Sequence, residues 1–104
     1  MDKKRIIIKL SGEALSNGGS QAIDPKKVRV IAQEVVDAYN LGNLEIGIIV
    51  GGGNIWRGKI AAEMGMERSS ADYMGMIATI LNALALQNAI EELGVETRTM
   101  TSLN

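Results

Sequence analysis

Apolar residues crowd almost without interruption into two short runs, Arg5 to Leu10 (RIIIKL) and Glu45 to Val50 (EIGIIV). Runs of this length, rich in β-branched side chains and closed by serine or glycine, predict buried strands of a parallel sheet. Between them the period changes. Val28, Ile31, Ala32, Val35 and Tyr39 recur at helical spacing, with Lys27, Arg29, Glu34 and Asp37 off that stripe. Asp24-Pro25 opens this helix, the aspartate as N-cap and the proline where no amide hydrogen is needed, and Gly42 closes it. The loop SGEALSNGGSQAI joins the first strand to the helix.

Beyond the second strand, residues 59–70 fit one short helix with a loop. From Asp72 to Leu93 the pattern predicts a long helix stopped by Gly94. This helix is apolar almost all round, which predicts burial on more than one side. Gly75, Ala78, Asn82, Ala85 and Ala89 align along it as a stripe of small residues that permits a close neighbour. The segment VETRTMT at 95–101 alternates and is β-rich, which predicts a third strand. The order β-α-β-α-β predicts an α/β fold, a doubly wound, mainly parallel sheet with right-handed crossovers. Residues 1–104 read as one domain. With three strands and no helix after the last, the domain is expected to be truncated.

Composition narrows the chemistry. Apolar residues make up 46% and charged ones 22% of the 104, as in ordinary soluble chains, and the net charge of −1 carries no footprint for nucleic acid or an anionic membrane. There is no cysteine and no histidine, so disulfides, thiolate metal sites and Ser–His or Cys–His catalysis are excluded within the chain. No protein-held metal site is assigned. The start MDKKR, followed by three isoleucines, is not a signal peptide, and no apolar run approaches the roughly 20 residues of a membrane span. A cytoplasmic location is expected. The six methionines are expected to fill core gaps.

Twelve glycines stand against one proline, and they concentrate where loops are predicted. Two such turns, Ser11-Gly12 and Gly51-Gly52-Gly53, follow the first and second strands, at the sheet edge where α/β folds bind ligands. Glycines there let backbone N–H groups close round an anion. One glycine turn alone is as readily a tight connection. Two at one edge, with Lys9 and Arg57 beside them, point to phosphate. The dinucleotide fingerprint G-x-G-x-x-G is absent, because Trp56 stands where the third glycine belongs. GNIWRGK at 53–59 matches seven positions of a P-loop, but Ile60 replaces the Ser or Thr that would bind magnesium. The match is one of chance.

KLSGE after the first strand, GGGNIWRG after the second and ADYMGMIATILNALALQNAIE on the long helix together resemble the bacterial uridylate (UMP) kinases of the amino-acid kinase superfamily. The resemblance covers essentially the whole chain and matches only the amino-terminal part of family members. It implies ATP-dependent, reversible phosphorylation of UMP to UDP in pyrimidine nucleotide synthesis, with Mg²⁺ accompanying ATP. Lys9, Leu10, Ser11 and Gly12 would form the ATP-phosphate turn, the Lys9 ammonium neutralising charge on the transferring group. A lysine at that place could otherwise merely snorkel from the strand's edge. Gly53 and Arg57 would also meet ATP. Gly52 would present its N–H to the UMP phosphate, and Asp72 would bind the ribose hydroxyls. The other reading of Asp72 is a helix cap. Asn54 would fix the loop, and Trp56 and Tyr73 would be structural.

Many family members carry GxxGFG-like residues in a segment linked with allosteric activation by GTP. Here Asn17, Gly18, Gly19, Ser20, Gln21 and Ala22 keep the spacing but lack the aromatic and the last glycine. They are a candidate allosteric loop without the family's full pattern. The family is typically hexameric, which implies a homo-oligomer, with ATP and UMP as partners and neither nucleic acid nor membrane. Two rival readings stand beside the kinase: a non-catalytic nucleotide- or oxyanion-binding module, and an inactive fragment that self-associates through the long helix.

Overall fold

The structure, a computed structural model, describes residues 3–18 and 20–100. Two strands, β1 (Lys4–Leu10) and β2 (Leu44–Val50), pair in parallel with Lys4 opposite Leu44 and Leu10 opposite Val50. Three helices follow the chain order: α1 (Pro25–Tyr39), α2 (Gly58–Glu63) and α3 (Arg68–Glu92). A short 3₁₀ turn, Gly12–Leu15, leaves β1. The expected α/β class and parallel pairing hold.

Local chemistry sets the ends of these elements. Asp24 caps α1, its Oδ1 accepting from Lys26 N at 2.9 Å, with Pro25 at the first helical position. Gly42 lies beyond its end at φ 94°, and Gly94 at φ 92° ends α3 in the same way. Asn43, at φ 59°, is the other residue that turns the chain into β2.

The pleat decides which side chains are covered. Ile8, Leu10, Ile46, Ile48 and Val50 face the helices, and the core joins Leu15, Val50 and the α1 residues Val28, Ala32 and Val36 to Leu86, Ala89 and Ile90 of α3. The alternate positions, among them Ile7 at 68% and Ile49 at 55% exposure, lie on the bare face. Helices α1 and α3 thus pack against each other and on one side of the two-stranded sheet. The radius of gyration, 15.2 Å, fits such a slab. It exceeds the roughly 13 Å of a compact chain this long.

Four local expectations are corrected. The predicted strand at 95–101 forms no ladder over residues 95–100, and Thr101 lies outside the described residues. Its alternation survives as burial, with Val95, Thr97 and Thr99 less exposed than Glu96, Arg98 and Met100. A groove of about 300 Å³, lined by Ile46, Ile48 and Leu86 among others, lies between this segment and β2, and no ladder joins the two among the described residues. Next, α3 starts at Arg68 rather than Asp72. Its N-cap, Glu67, makes no side-chain capping bond, which removes the usual sequence signal. Third, α3 is buried along one side, while Tyr73, Met74, Ile77, Leu81 and Leu84 are each at least 39% exposed. By length and composition α3 could cross a membrane, yet its midpoint carries the wholly buried polar Asn82, bonded into the glycine loop. That is the pattern of a core helix. None of the described methionines is buried in the core: Met64, Met74 and Met100 are exposed, and Met66 and Met76 are half-buried.

Candidate functional site

Strands β1 and β2 end side by side, and Gly51 N donates to Leu10 O at 3.2 Å as the last link between them. The two glycine turns therefore meet. A side chain at Gly12 would place its Cβ 2.4 Å from Asn54 Oδ1, 2.9 Å from Gly51 O and 3.1 Å from Gly53 N. Glycine is required there by the approach of one backbone to another. Gly52 is confined from the opposite side, where a Cβ would come within 2.9 Å of both Ala78 Cβ and Thr79 N. The glycine loop is thus clamped between the turn after β1 and the middle of α3. The small-residue stripe, Gly75 and Ala78 included, makes that approach possible.

Hydrogen bonds fix what the clamp leaves free. Asn82 Nδ2 donates to Gly51 O and to Asn54 Oδ1, both at 2.7 Å, and Asn54 Nδ2 donates to Asn82 Oδ1 at 3.0 Å and to Ala22 O at 2.8 Å. Gly52 O accepts from Ile55 N at 3.0 Å and Trp56 N at 2.9 Å. Trp56 Nε1 donates to Ala71 O at 3.1 Å and ties the loop's exit to the start of α3. The structural roles expected of Asn54 and Trp56 match these contacts. Tyr73, by contrast, is 53% exposed on the outer side of α3.

The N–H groups of Gly52, Gly53 and Asn54 find no acceptor among the described residues. Because the carbonyl of Gly52 turns inward to Ile55 and Trp56, the N–H of the same peptide, that of Gly53, faces the other way. Successive unpaired donors on a loop form an anion-binding concavity. A Cβ at Gly53 would meet nothing within 4 Å, so the space in front of the loop is open.

The charged residues surround this concavity unequally. Arg57 is ion-paired with Glu13 of the 3₁₀ turn, which brings it to the Ser11-Gly12 side of the site. Ser11 Oγ accepts from Glu13 N at 3.2 Å and shapes that turn. Lys9 is exposed on the bare face of the sheet, opposite Ile49 in the register, and has no ion-pair partner among the described residues. Leu10 lies between them, packed against the core. Asp72 lies in the second turn of α3, with Oδ2 4.0 Å from Arg68 Nε. It caps nothing, so that alternative reading falls. Lys9, Ser11, Gly12, Gly52, Gly53 and Arg57 are therefore gathered at the strand ends, and Asp72 flanks them on the helix tied down by Trp56.

The candidate allosteric loop is tied largely to itself. Asn17 Nδ2 donates to Ser20 Oγ at 3.2 Å and to Gln21 Oε1 at 3.3 Å, and Gly18 takes φ 83°. Gly19 lies outside the described residues. Ala22, at the end of the loop, is the acceptor of the Asn54 bond and so links this segment to the glycine loop. Sequence reasoning missed two contributors. Asn82 reads only as one member of a small-residue stripe, and Glu13 only as part of a motif. An asparagine in the middle of a long apolar helix was the available signal for the first.

Comparison with known proteins gives concordant results. The model of the amino acid kinase family matches residues 4–104. The structure of UMP kinase from Ureaplasma parvum superposes with a TM-score of 0.86 at 46% identity, over 93% of this chain and 42% of that one. UMP kinase from Bacillus anthracis superposes with a TM-score of 0.80 at 39% identity, over 88% of this chain and 37% of that one. The chain spans about two-fifths of the length of these relatives.

Proposed function

The chain belongs to the amino acid kinase family, and from that premise we propose that it is the amino-terminal part of a UMP kinase. The complete protein transfers the γ-phosphoryl group of ATP to UMP, giving UDP and ADP, in pyrimidine nucleotide synthesis. The observation that carries this reading is the row of N–H groups at Gly52, Gly53 and Asn54 without acceptors among the described residues, next to the Lys9–Gly12 turn with Arg57 beside it. Phosphoryl transfer needs positioning and charge stabilisation rather than a protein nucleophile, which suits a chain with no histidine or cysteine.

In this proposal Lys9 neutralises charge on the transferring group, and Leu10, Ser11, Gly12, Gly53 and Arg57 hold the ATP phosphates. Arg57 exchanges Glu13 for phosphate, to which its planar fork binds in bidentate fashion. Gly52 donates to the UMP phosphate, and Asp72 accepts from the ribose hydroxyls. Mg²⁺ arrives on the ATP phosphates, its usual route into kinase sites. The protein is cytoplasmic and homo-oligomeric, a hexamer, in line with the UMP kinases it resembles.

Lys9→Ala in the complete protein tests the reading, with UDP formation from UMP and MgATP as the assay. Cationic groups in such sites are worth roughly 10³- to 10⁵-fold in kcat, and a loss of that order with little change in either KM is expected. An unchanged kcat would remove Lys9 from the mechanism. Nucleotide binding without turnover in the wild type would favour the binding-module reading.

A further inference from the structure

Asn82 and Leu15 are the largest side chains with no measurable exposure, and Asn82 is the polar one. A buried amide destabilises a core unless its hydrogen-bonding groups are met. Here they are met as a closed set. Both Nδ2 hydrogens of Asn82 are used, on Gly51 O and Asn54 Oδ1, and both of Asn54 are used, on Asn82 Oδ1 and Ala22 O. The set also fixes which way each amide points, because rotating Asn82 would bring its oxygen against Gly51 O.

Packing alone does not call for this arrangement, since an apolar residue could fill the same space beneath the loop. The bond to Gly51 O has a more specific consequence. In a trans peptide the C=O and N–H point in opposite directions, so drawing the Gly51 carbonyl towards α3 turns the Gly52 N–H away from it. Glycine on both sides of that peptide leaves it free to rotate if it is not held. A rotated peptide would present an oxygen where the N–H now stands, and that oxygen would repel a phosphate.

We propose that Asn82 is a positioning residue for the acceptor phosphate: it holds the Gly51–Gly52 peptide with its N–H directed at the phosphate of UMP. The inference rests on the reading that Gly52 meets that phosphate, and it adds a residue which touches neither substrate. Asn54 completes the device by locking the Asn82 amide and joining the peptide to residue 22.

Asn82→Asp and Asn82→Ala in the complete protein test it. The aspartate, assayed at a pH where it is ionised, keeps the shape but cannot donate to Gly51 O, and the alanine removes the contact altogether. Isothermal calorimetry measures UMP affinity, and steady-state kinetics gives KM for MgATP, at a temperature where each variant is fully folded by calorimetry. The expected result is UMP bound about tenfold more weakly, with KM for MgATP within about twofold, since one charge-assisted hydrogen bond is worth at least that factor. A folded variant that binds UMP as tightly as the wild type overturns the inference. So does one that loses both substrates in equal proportion, which is the mark of a merely structural role. A second measurement needs no variant: the Gly52 amide proton should shift downfield when UMP is added to the ¹⁵N-labelled wild type, and no shift overturns the inference. A wild type that binds no UMP removes the underlying reading, and this inference with it; binding that is unchanged in the variants overturns the inference alone.

Discussion

Gly12→Ala is a one-methyl change whose consequence can be worked from three distances. The new Cβ would lie 2.4 Å from Asn54 Oδ1, 2.9 Å from Gly51 O and 3.1 Å from Gly53 N. Reaching ordinary contact at 3.4 Å requires Asn54 to move by about 1 Å and the Gly51–Gly53 backbone by several tenths. Asn54 cannot rotate aside cheaply, because its amide is bonded to Ala22 and Asn82. Two effects compete. Alanine lowers the entropy of the unfolded chain, worth about 0.4–1 kcal/mol in favour of the variant, and Gly12 has no positive φ to oppose it. Overpacking a tight site costs about 1–3 kcal/mol, more when backbone must give. The clash wins, by roughly 1–2 kcal/mol, which lowers Tm by several degrees in a protein of this size class. Activity should suffer more, because a displacement of about 1 Å in a phosphate-positioning loop can cost on the order of 100-fold in rate. Scanning calorimetry of the complete protein gives the first quantity and a coupled UDP assay the second. Wild-type Tm together with wild-type kcat would mean that the two turns do not meet as described.

Gly53→Ala is the companion experiment: its Cβ would meet nothing within 4 Å, so Tm should hold or rise slightly while KM for MgATP increases, and an unchanged KM would take Gly53 out of the ATP site. Asp72→Asn should weaken UMP by about 1.5–3 kcal/mol, the worth of a hydrogen bond to a charged group, with MgATP unaffected. Its Tm should scarcely move, because the exposed Arg68 pair it breaks is worth at most a few tenths of a kcal/mol, and a large drop in Tm with unaltered UMP binding would return Asp72 to a structural role.

What was legible in the sequence was what is local. The strands and α1 announce themselves by period, by Asp24-Pro25 and by Gly42, each of which acts within a turn or two of its own position. The glycine turns could be placed at one sheet edge because parallel pairing follows from the order of elements. What failed was what depends on distant partners. The segment expected as a third strand has the right alternation but forms no ladder among the described residues, since alternation describes a face whereas a ladder requires an edge to pair with. The start of α3 was misplaced because Arg68-Ser69-Ser70 is polar and Glu67 offers no capping bond to recognise. Arg57 was expected to meet phosphate, whereas its engagement with Glu13, which joins two loops far apart in the chain, left no trace in the sequence. Asn82 lies 28 and 31 residues from the groups it binds, and although an asparagine within an apolar helix marks it off from the alanines of its stripe, its own window does not say which groups it meets.

Three glycines in succession ought to make a loop too mobile to bind anything well, because each has more freedom to lose than any other residue. The structure resolves this by ordering the loop through one kind of group and leaving the other kind free. The carbonyl of Gly51 is held by Asn82, and the carbonyl of Gly52 by Ile55 and Trp56. Gly51 N is taken by Leu10 O, and steric contact with Gly12 and Ala78 closes the remaining directions. The donors at Gly52, Gly53 and Asn54 are left without acceptors among the described residues. Donors fixed in this way before a ligand arrives spare it the cost of ordering them, and they act most strongly where negative charge gathers. Substituted glycines would widen the gap between the two turns, and a loop without its asparagines would keep the donors but lose their aim. The glycines therefore supply proximity and the paired amides of buried Asn82 and half-buried Asn54 supply direction, and the proposed anion site, made of backbone, needs both.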